Sequence, residues 1–168
     1  MDDWQRRIDE VWDSASELGE RGVIERIDSL VAELPAGDPR GPFEAAGARD
    51  SAGLEEEAEP LYRRALELGL DGRARVEAHV QLASTVRNLG RPAESLELLD
   101  AVRAEAGDLA DAVAAFRALA LASSGAADAA ASVALVALAA HLTQYRRAID
   151  AYARELVAPA RDDAGPPA

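Results

Sequence analysis

Apolar residues recur along this chain at separations of three and four, the spacing that gathers side chains on one side of an α-helix. Trp4, Ile8, Val11, Trp12 and Ala15 make one such stripe, and Val23, Ile24, Ile27, Leu30, Val31 and Leu34 the next. Leu61, Tyr62, Ala65, Leu66 and Leu68 make a third; Val76, Val80, Leu82, Ala83, Val86 and Leu89 a fourth; Leu96, Leu98, Leu99 and Val102 a fifth. The C-terminal third is a field of alanine, leucine and valine, closed by a more amphipathic helix carrying Tyr145, Ile149, Tyr152 and Leu156. No stretch alternates apolar and polar residues with the β-branched and aromatic content of a strand, so the pattern predicts an all-α chain. Pro35, Gly37, Pro39, Gly41 and Pro42 predict a decisive break after the second stripe. Pro60 conflicts with a helix drawn from Leu54 or Glu55 through Leu68, which must start later or bend there, whereas Pro92 suits a first helical position.

Glycines punctuate the stripes. Gly19, Gly53, Gly90 and Gly125 each fall between two helical stretches, separated by 34, 37 and 35 residues. A glycine just past a helix C-terminus supplies the left-handed conformation that other residues resist, so each predicts the turn of a helical hairpin. Self-similarity at about 34 residues is the period of a helical-hairpin solenoid. Counted from those glycines, five residues on lie Ile24, Ala58, Ser95 and Ala130, and twelve on lie Val31, Ala65, Val102 and Ala137. Nine residues on lie Asp28, Tyr62, Leu99 and Ala134, and seven residues before lie Trp12, Ala46, Ala83 and Ala118. Small residues at fixed offsets let paired helices approach closely, with a large one between them filling the gap to the next hairpin. Asp28 stands in a slot that the other hairpins fill with apolar residues.

Residues 43–70 (FEAAGARDSAGLEEEAEPLYRRALELGL) and 77–99 (EAHVQLASTVRNLGRPAESLELL) resemble the bacterial group-5 tetratricopeptide repeat domain. The resemblance spans about residues 40–157. It implies antiparallel helix pairs stacked into a right-handed α-solenoid, the first helix of each pair lining a concave face, with a C-terminal closing helix. No proline closes the repeats at the usual place, and the fourth hairpin is nearly all alanine, which leaves its register open. The expected organisation is a divergent first hairpin or N-terminal cap over residues 1–38, the repeat domain over 39–157, and a flexible tail over 158–168.

Composition narrows the function classes. The chain has 168 residues, net charge −13 and no cysteine, and all 18 of its basic side chains are arginine. Without cysteine there is no disulfide framework, thiolate metal site or thiol nucleophile. The acidic balance argues against nucleic acid and against an anionic membrane surface. Residues 1–62 hold 17 acids and 6 arginines, against 14 acids and 12 arginines in residues 63–168, so nearly all the charge lies in the N-terminal third. An acidic start without an apolar core does not read as a secretory signal, and the uncharged run 129–145 is alanine-rich rather than a membrane span. The expected location is cytoplasmic.

Candidate chemistry is sparse. His79 and His141 stand 62 residues apart with no metal-ligand spacing. Glu55, Glu56, Glu57 and Glu59 read as the acidic start of a helix rather than as catalytic carboxylates. No phosphate loop or nucleophile elbow is present, so the expectation is a non-enzyme without cofactors. By the geometry of the resemblance, Phe43, Gly47, Asp50 and Ser51 face the groove from one hairpin, and Glu77, Val80, Gln81, Ser84, Arg87 and Asn88 from the next. The partner-binding candidates are Asp50, Gln81, Ser84, Arg87 and Asn88, a set able to hydrogen-bond a peptide or helix and offer one cation to a carboxylate. Asp50 and Arg87 each stand three residues before their glycines, so a salt bridge between them is the structural alternative. Chaperone-binding repeats hold a C-terminal carboxylate with basic residues at places filled here by Phe43, Gly47, Val80, Ser84, Ala115 and Leu119, so that clamp is absent. A protein or peptide partner in the groove is one reading; a homodimer through the alanine-rich C-terminal hairpin, with Tyr145 and Tyr152 packed against it, is the other.

Overall fold

The computed structural model describes residues 2–158. Of the expected tail over 158–168, residues 159–168 lie outside that range. Nine α-helices and no strand occur among the described residues: α1 (Asp3–Asp13), α2 (Ala15–Val31), α3 (Arg40–Ser51), α4 (Glu55–Glu67), α5 (Gly72–Asn88), α6 (Pro92–Val102), α7 (Ala110–Ser123), α8 (Ala127–Ala139) and α9 (Arg146–Glu155). Each helix packs on the next in the chain, and α5 also packs on both α3 and α7. That is a row of hairpins, α3–α4, α5–α6 and α7–α8, preceded by α1–α2 and closed by α9.

The four spaced glycines make the hairpin turns. Gly53 (φ 70°), Gly90 (φ 82°) and Gly125 (φ 84°) take the left-handed backbone between paired helices, and Gly19 (φ 67°) interrupts α2, so its first turn continues α1 and residues 20–31 return antiparallel. After Gly53 the Leu54 amide donates to the Arg49 carbonyl at 2.9 Å, and after Gly90 the Arg91 amide donates to Val86 at 3.1 Å. These bonds satisfy carbonyls that the helix ends leave open.

The core runs along the row and is shared between neighbouring hairpins. Trp4, Ile8, Val23, Ile27 and Leu30 of the first hairpin enclose Ala48 of α3. Ala46, Ala58 and Tyr62 of the next meet Leu82 and Val86 of α5. Val76, Val80 and Ala83 of α5 join Leu99, Val102, Ala106 and Val113 farther on. In the middle hairpins the expected offsets are filled as read: Ala46, Ala58, Tyr62, Ala65, Ala83, Leu99 and Val102 are fully buried. Asp28, in its apolar slot, takes a two-pronged ion pair from Arg49 of α3 at 3.0 Å on both arms, fastening the first hairpin to the second. Arg40 adds a second fastening, bonding Asp2 and Asp38 while its guanidinium lies 5.0 Å above the Trp4 ring. On the outer helices Glu59 holds Arg63 and Arg91, both of which also bind Glu94, a network joining α4 to α6.

Four expectations change. The break after the second stripe ends sooner: α3 begins at Arg40, so Gly41 and Pro42 lie in its first turn, where an amide has no helical partner to lose. Helix α4 does not start late: it begins at Glu55 and runs through Pro60. Pro60 and Glu56 are both exposed, so water can satisfy the carbonyl that the proline cannot reach. In the fourth hairpin the offsets hold only in part: Ala118 and Ala130 are buried, while Ala134 is exposed and Ala137 half-buried. Helix α8 has the ten-residue α9 rather than a whole hairpin on its far side. Tyr145 and Tyr152 do not pack there; they are 77% and 63% exposed, and Ala153 is the residue α9 buries.

Candidate functional site

Successive first helices place one set of side chains on the same side of the row. On α3, Phe43, Glu44, Gly47, Asp50 and Ser51 are spaced by three and four; on α5, Glu77 and Gln81 are one turn apart. With Trp12 from α1 and Tyr62 from α4 they line an open cavity of about 480 Å³. The floor is open because Gly47 has no side chain: a Cβ there would meet Trp12 Cζ2 at 3.5 Å and Gln81 Oε1 at 4.0 Å.

Four helices are tied together around this cavity. The Trp12 indole N–H donates to Glu44 Oε2 at 3.0 Å, joining α1 to α3. The buried Thr85 hydroxyl lies 2.9 Å from both Asp50 Oδ1 and its own helical acceptor, the Gln81 carbonyl. The Tyr62 hydroxyl donates to Gln81 Oε1 at 2.9 Å, with Asp50 Oδ2 a longer alternative at 3.4 Å. Its ring is fully buried and tilted against Phe43, with centroids 6.3 Å apart. A buried tyrosine needs a partner for its hydroxyl, and the site supplies one.

The electrostatics are negative. Burial pushes the Glu44 carboxyl above its ordinary value, opposed by the Trp12 hydrogen bond and by the Gln5 amide and reinforced by Asp9 and Glu77. Burial likewise raises Asp50, opposed by Thr85 and Tyr62. The Tyr62 hydroxyl is raised by burial and by the negative charge of Asp50 and Glu44. Among the described residues no arginine lies within ion-pair distance of Glu44 or Asp50, while Glu77 at the rim is held by Arg73 at 2.9 Å.

Of the candidates from sequence, Asp50 and Gln81 come together here. Ser84 is half-buried on the next turn of α5 and does not line the cavity. Arg87 and Asn88 lie at the far end of α5 and bond each other at 2.9 Å. Arg87 also reaches Ser123 of α7 at 3.5 Å, and Asn88 donates to Glu55 at 3.3 Å. Asp50 and Arg87 do not pair, which removes the salt-bridge alternative: Asp50 turns inward to Thr85 and Tyr62, and Arg87 turns toward α7. Phe43, Gly47, Ser51 and Glu77 face the cavity as the repeat geometry implied, whereas Val80 of the same set is buried in the core with Leu99 and Val102. Trp12, Glu44 and Tyr62 were missed. Trp12 carried a signal, since it fills an offset that later hairpins give to alanine and so projects toward the next helix. The histidines lie elsewhere, His79 bonding the Arg75 carbonyl and His141 pairing with Asp111. Among the described residues no three metal-ligating side chains gather into a site, and no helix is long and apolar enough to cross a membrane.

A family model described as tetratrico peptide repeat matches residues 39–156. The match starts one residue before α3 and ends one after α9, leaving α1 and α2 outside it. No curated protein and no solved structure matches the chain.

Proposed function

The chain belongs to the tetratricopeptide repeat family, and from that premise we propose that it is a non-catalytic adaptor that holds a peptide or helix of a partner protein on its concave face. The family points to protein–protein interaction; the choice of face rests on the cavity between α1, α3 and α5. Its walls are aromatic and polar, its floor is cleared by Gly47, and its side chains are pre-positioned by bonds from four helices. Binding to such a site costs little side-chain ordering. Residues 1–38 serve in this reading as an N-terminal cap that also lends Trp12 to the cavity.

A photo-crosslinking residue at Ser51, on the cavity edge, compared with one at Glu97, exposed on α6, tests the reading in native lysate. Partner adducts from Ser51 and none from Glu97 support it; adducts from Glu97 alone overturn it. Self-association through α7–α8 is the second reading, favoured by Leu119 and Leu138, which are 47% and 51% exposed. A concentration-dependent dimer in sedimentation, abolished by Leu138→Glu, supports it, and a monomer at every concentration refutes it.

A further inference from the structure

We infer that the concave cavity is a receptor for a basic side chain, an arginine or lysine projecting from the bound segment of the partner. This rests on the concave-face reading and adds the chemistry of what enters.

The donors around the cavity are spent internally: the Trp12 indole on Glu44, the Gln5 amide beside Glu44 on Asp9, the Tyr62 hydroxyl on Gln81, the Thr85 hydroxyl between Asp50 and the Gln81 carbonyl, and the Ser51 hydroxyl on the Ala48 carbonyl. What remains facing the space, apart from the Gln81 amide N–H₂, is acceptors: the free lone pairs of Glu44, Asp50, Gln81 Oε1 and Ser51 Oγ. A ligand completing this set must bring donors. Guanidinium and ammonium groups bring donors alone.

Charge selects the same ligand. Glu44 and Asp50 are half-buried carboxyl groups without an ion-pair partner among the described residues, while arginines elsewhere bind carboxylates such as Asp28, Asp38 and Glu59. Burial that raises both carboxyls marks a cost which an incoming cation offsets. The half-buried rings of Trp12 and Phe43 offer faces on which a cation can rest. An acidic N-terminal third adds long-range attraction for a basic segment. Arg87, the cation read from sequence as the ligand anchor, is outside this cavity, so the expected polarity of the partner is reversed.

The test uses three acetylated, amidated nine-residue peptides that differ by carrying three arginines, three glutamines or three glutamates at the same places. Binding is read from the Trp12 indole N–H resonance, with Trp4 as an internal reference because its indole is buried and bonded to the Leu30 carbonyl at 2.8 Å. The arginine peptide should move the Trp12 resonance saturably and leave Trp4 still, with the glutamine and glutamate peptides inert. The double variant Glu44→Gln, Asp50→Asn, shown folded by circular dichroism, should weaken arginine-peptide binding by about tenfold or more. Equal binding of the glutamate peptide, unchanged binding by the double variant, or no movement of Trp12 with any peptide overturns the assignment. In lysate, a Ser51 cross-link that survives the double substitution overturns the basic-ligand assignment while the concave-face reading stands. Absence of any Ser51 cross-link overturns the reading beneath it.

Discussion

Replacing Gly47 by alanine should stabilise the protein, and the structure sets the size of the gain. Gly47 lies in the interior of α3 with an ordinary helical backbone, so it does not belong to the left-handed glycines of the turns. Glycine costs a helix interior about 0.8–1.0 kcal/mol relative to alanine. The added Cβ would sit 3.5 Å from Trp12 Cζ2 and 3.9 Å from Cη2, ordinary contact distances that require no neighbour to shift. The whole propensity gain should therefore appear, about 1 kcal/mol, which for a chain of this length is a rise of about 2–4 °C in Tm. Urea unfolding followed by circular dichroism should show a higher midpoint at unchanged slope. Two comparisons sharpen the assay. Gly41→Ala in the same helix places its Cβ 3.2 Å from Val31 Cγ1 and should gain less. Gly53→Ala has open space but φ of +70° and should lose about 1–2 kcal/mol. A Gly47→Ala midpoint equal to or below that of the wild type would refute the reasoning, because it would mean that the cavity floor is closed. If the gain appears, Gly47 is a residue whose absent side chain costs stability and leaves room for a ligand.

Three further outcomes follow from the same geometry. Tyr62→Phe keeps the buried ring and removes the hydroxyl that joins α4 to Gln81, and should cost about 0.5–1.5 kcal/mol in urea unfolding. Asp28→Asn breaks the two-pronged pair with Arg49 and should raise amide exchange in α1 and α2 while leaving α5 and α6 protected, as expected where each hairpin contacts only its neighbours. Glu44 is raised in the folded state above 4.5, so its contribution to stability is present well below that pH and is lost as pH rises through the folded value. Glu44→Gln, which stays neutral and keeps an acceptor for Trp12, should match the wild type in acid and exceed it at pH 7, as measured by urea midpoints across that range.

The hairpin plan was legible because its determinants are local. A left-handed turn demands glycine, and close helix pairs demand small residues, so Gly53 and Gly90 with Ala58, Ala65, Ala83 and Val102 spelled out the middle of the row. The end hairpins were harder. Asp28 looked misplaced because its partner, Arg49, is on another hairpin, and alanine in the last hairpin fits several registers equally well. For the cavity, the α3 and α5 faces followed from helical spacing, which brought Asp50 and Gln81 together. Arg87 and Asn88 were misplaced because direction matters as well as face: both side chains run along the end of α5 toward α7 and α4. Tyr62 reads as packing in a pattern of apolar positions, and only the three-dimensional arrangement shows its hydroxyl reaching through to Gln81.

The central claim is that the partner docks in the concave cavity through a basic side chain. Hydrogen exchange followed by mass spectrometry, with and without the arginine peptide, tests it most directly because it reports every helix at once. The account predicts added protection confined to the cavity-lining segments 4–13, 43–51 and 77–85, with 93–101 on the outer helix α6 unchanged. Protection confined to α6, to the α7–α8 hairpin, or to no segment would contradict it.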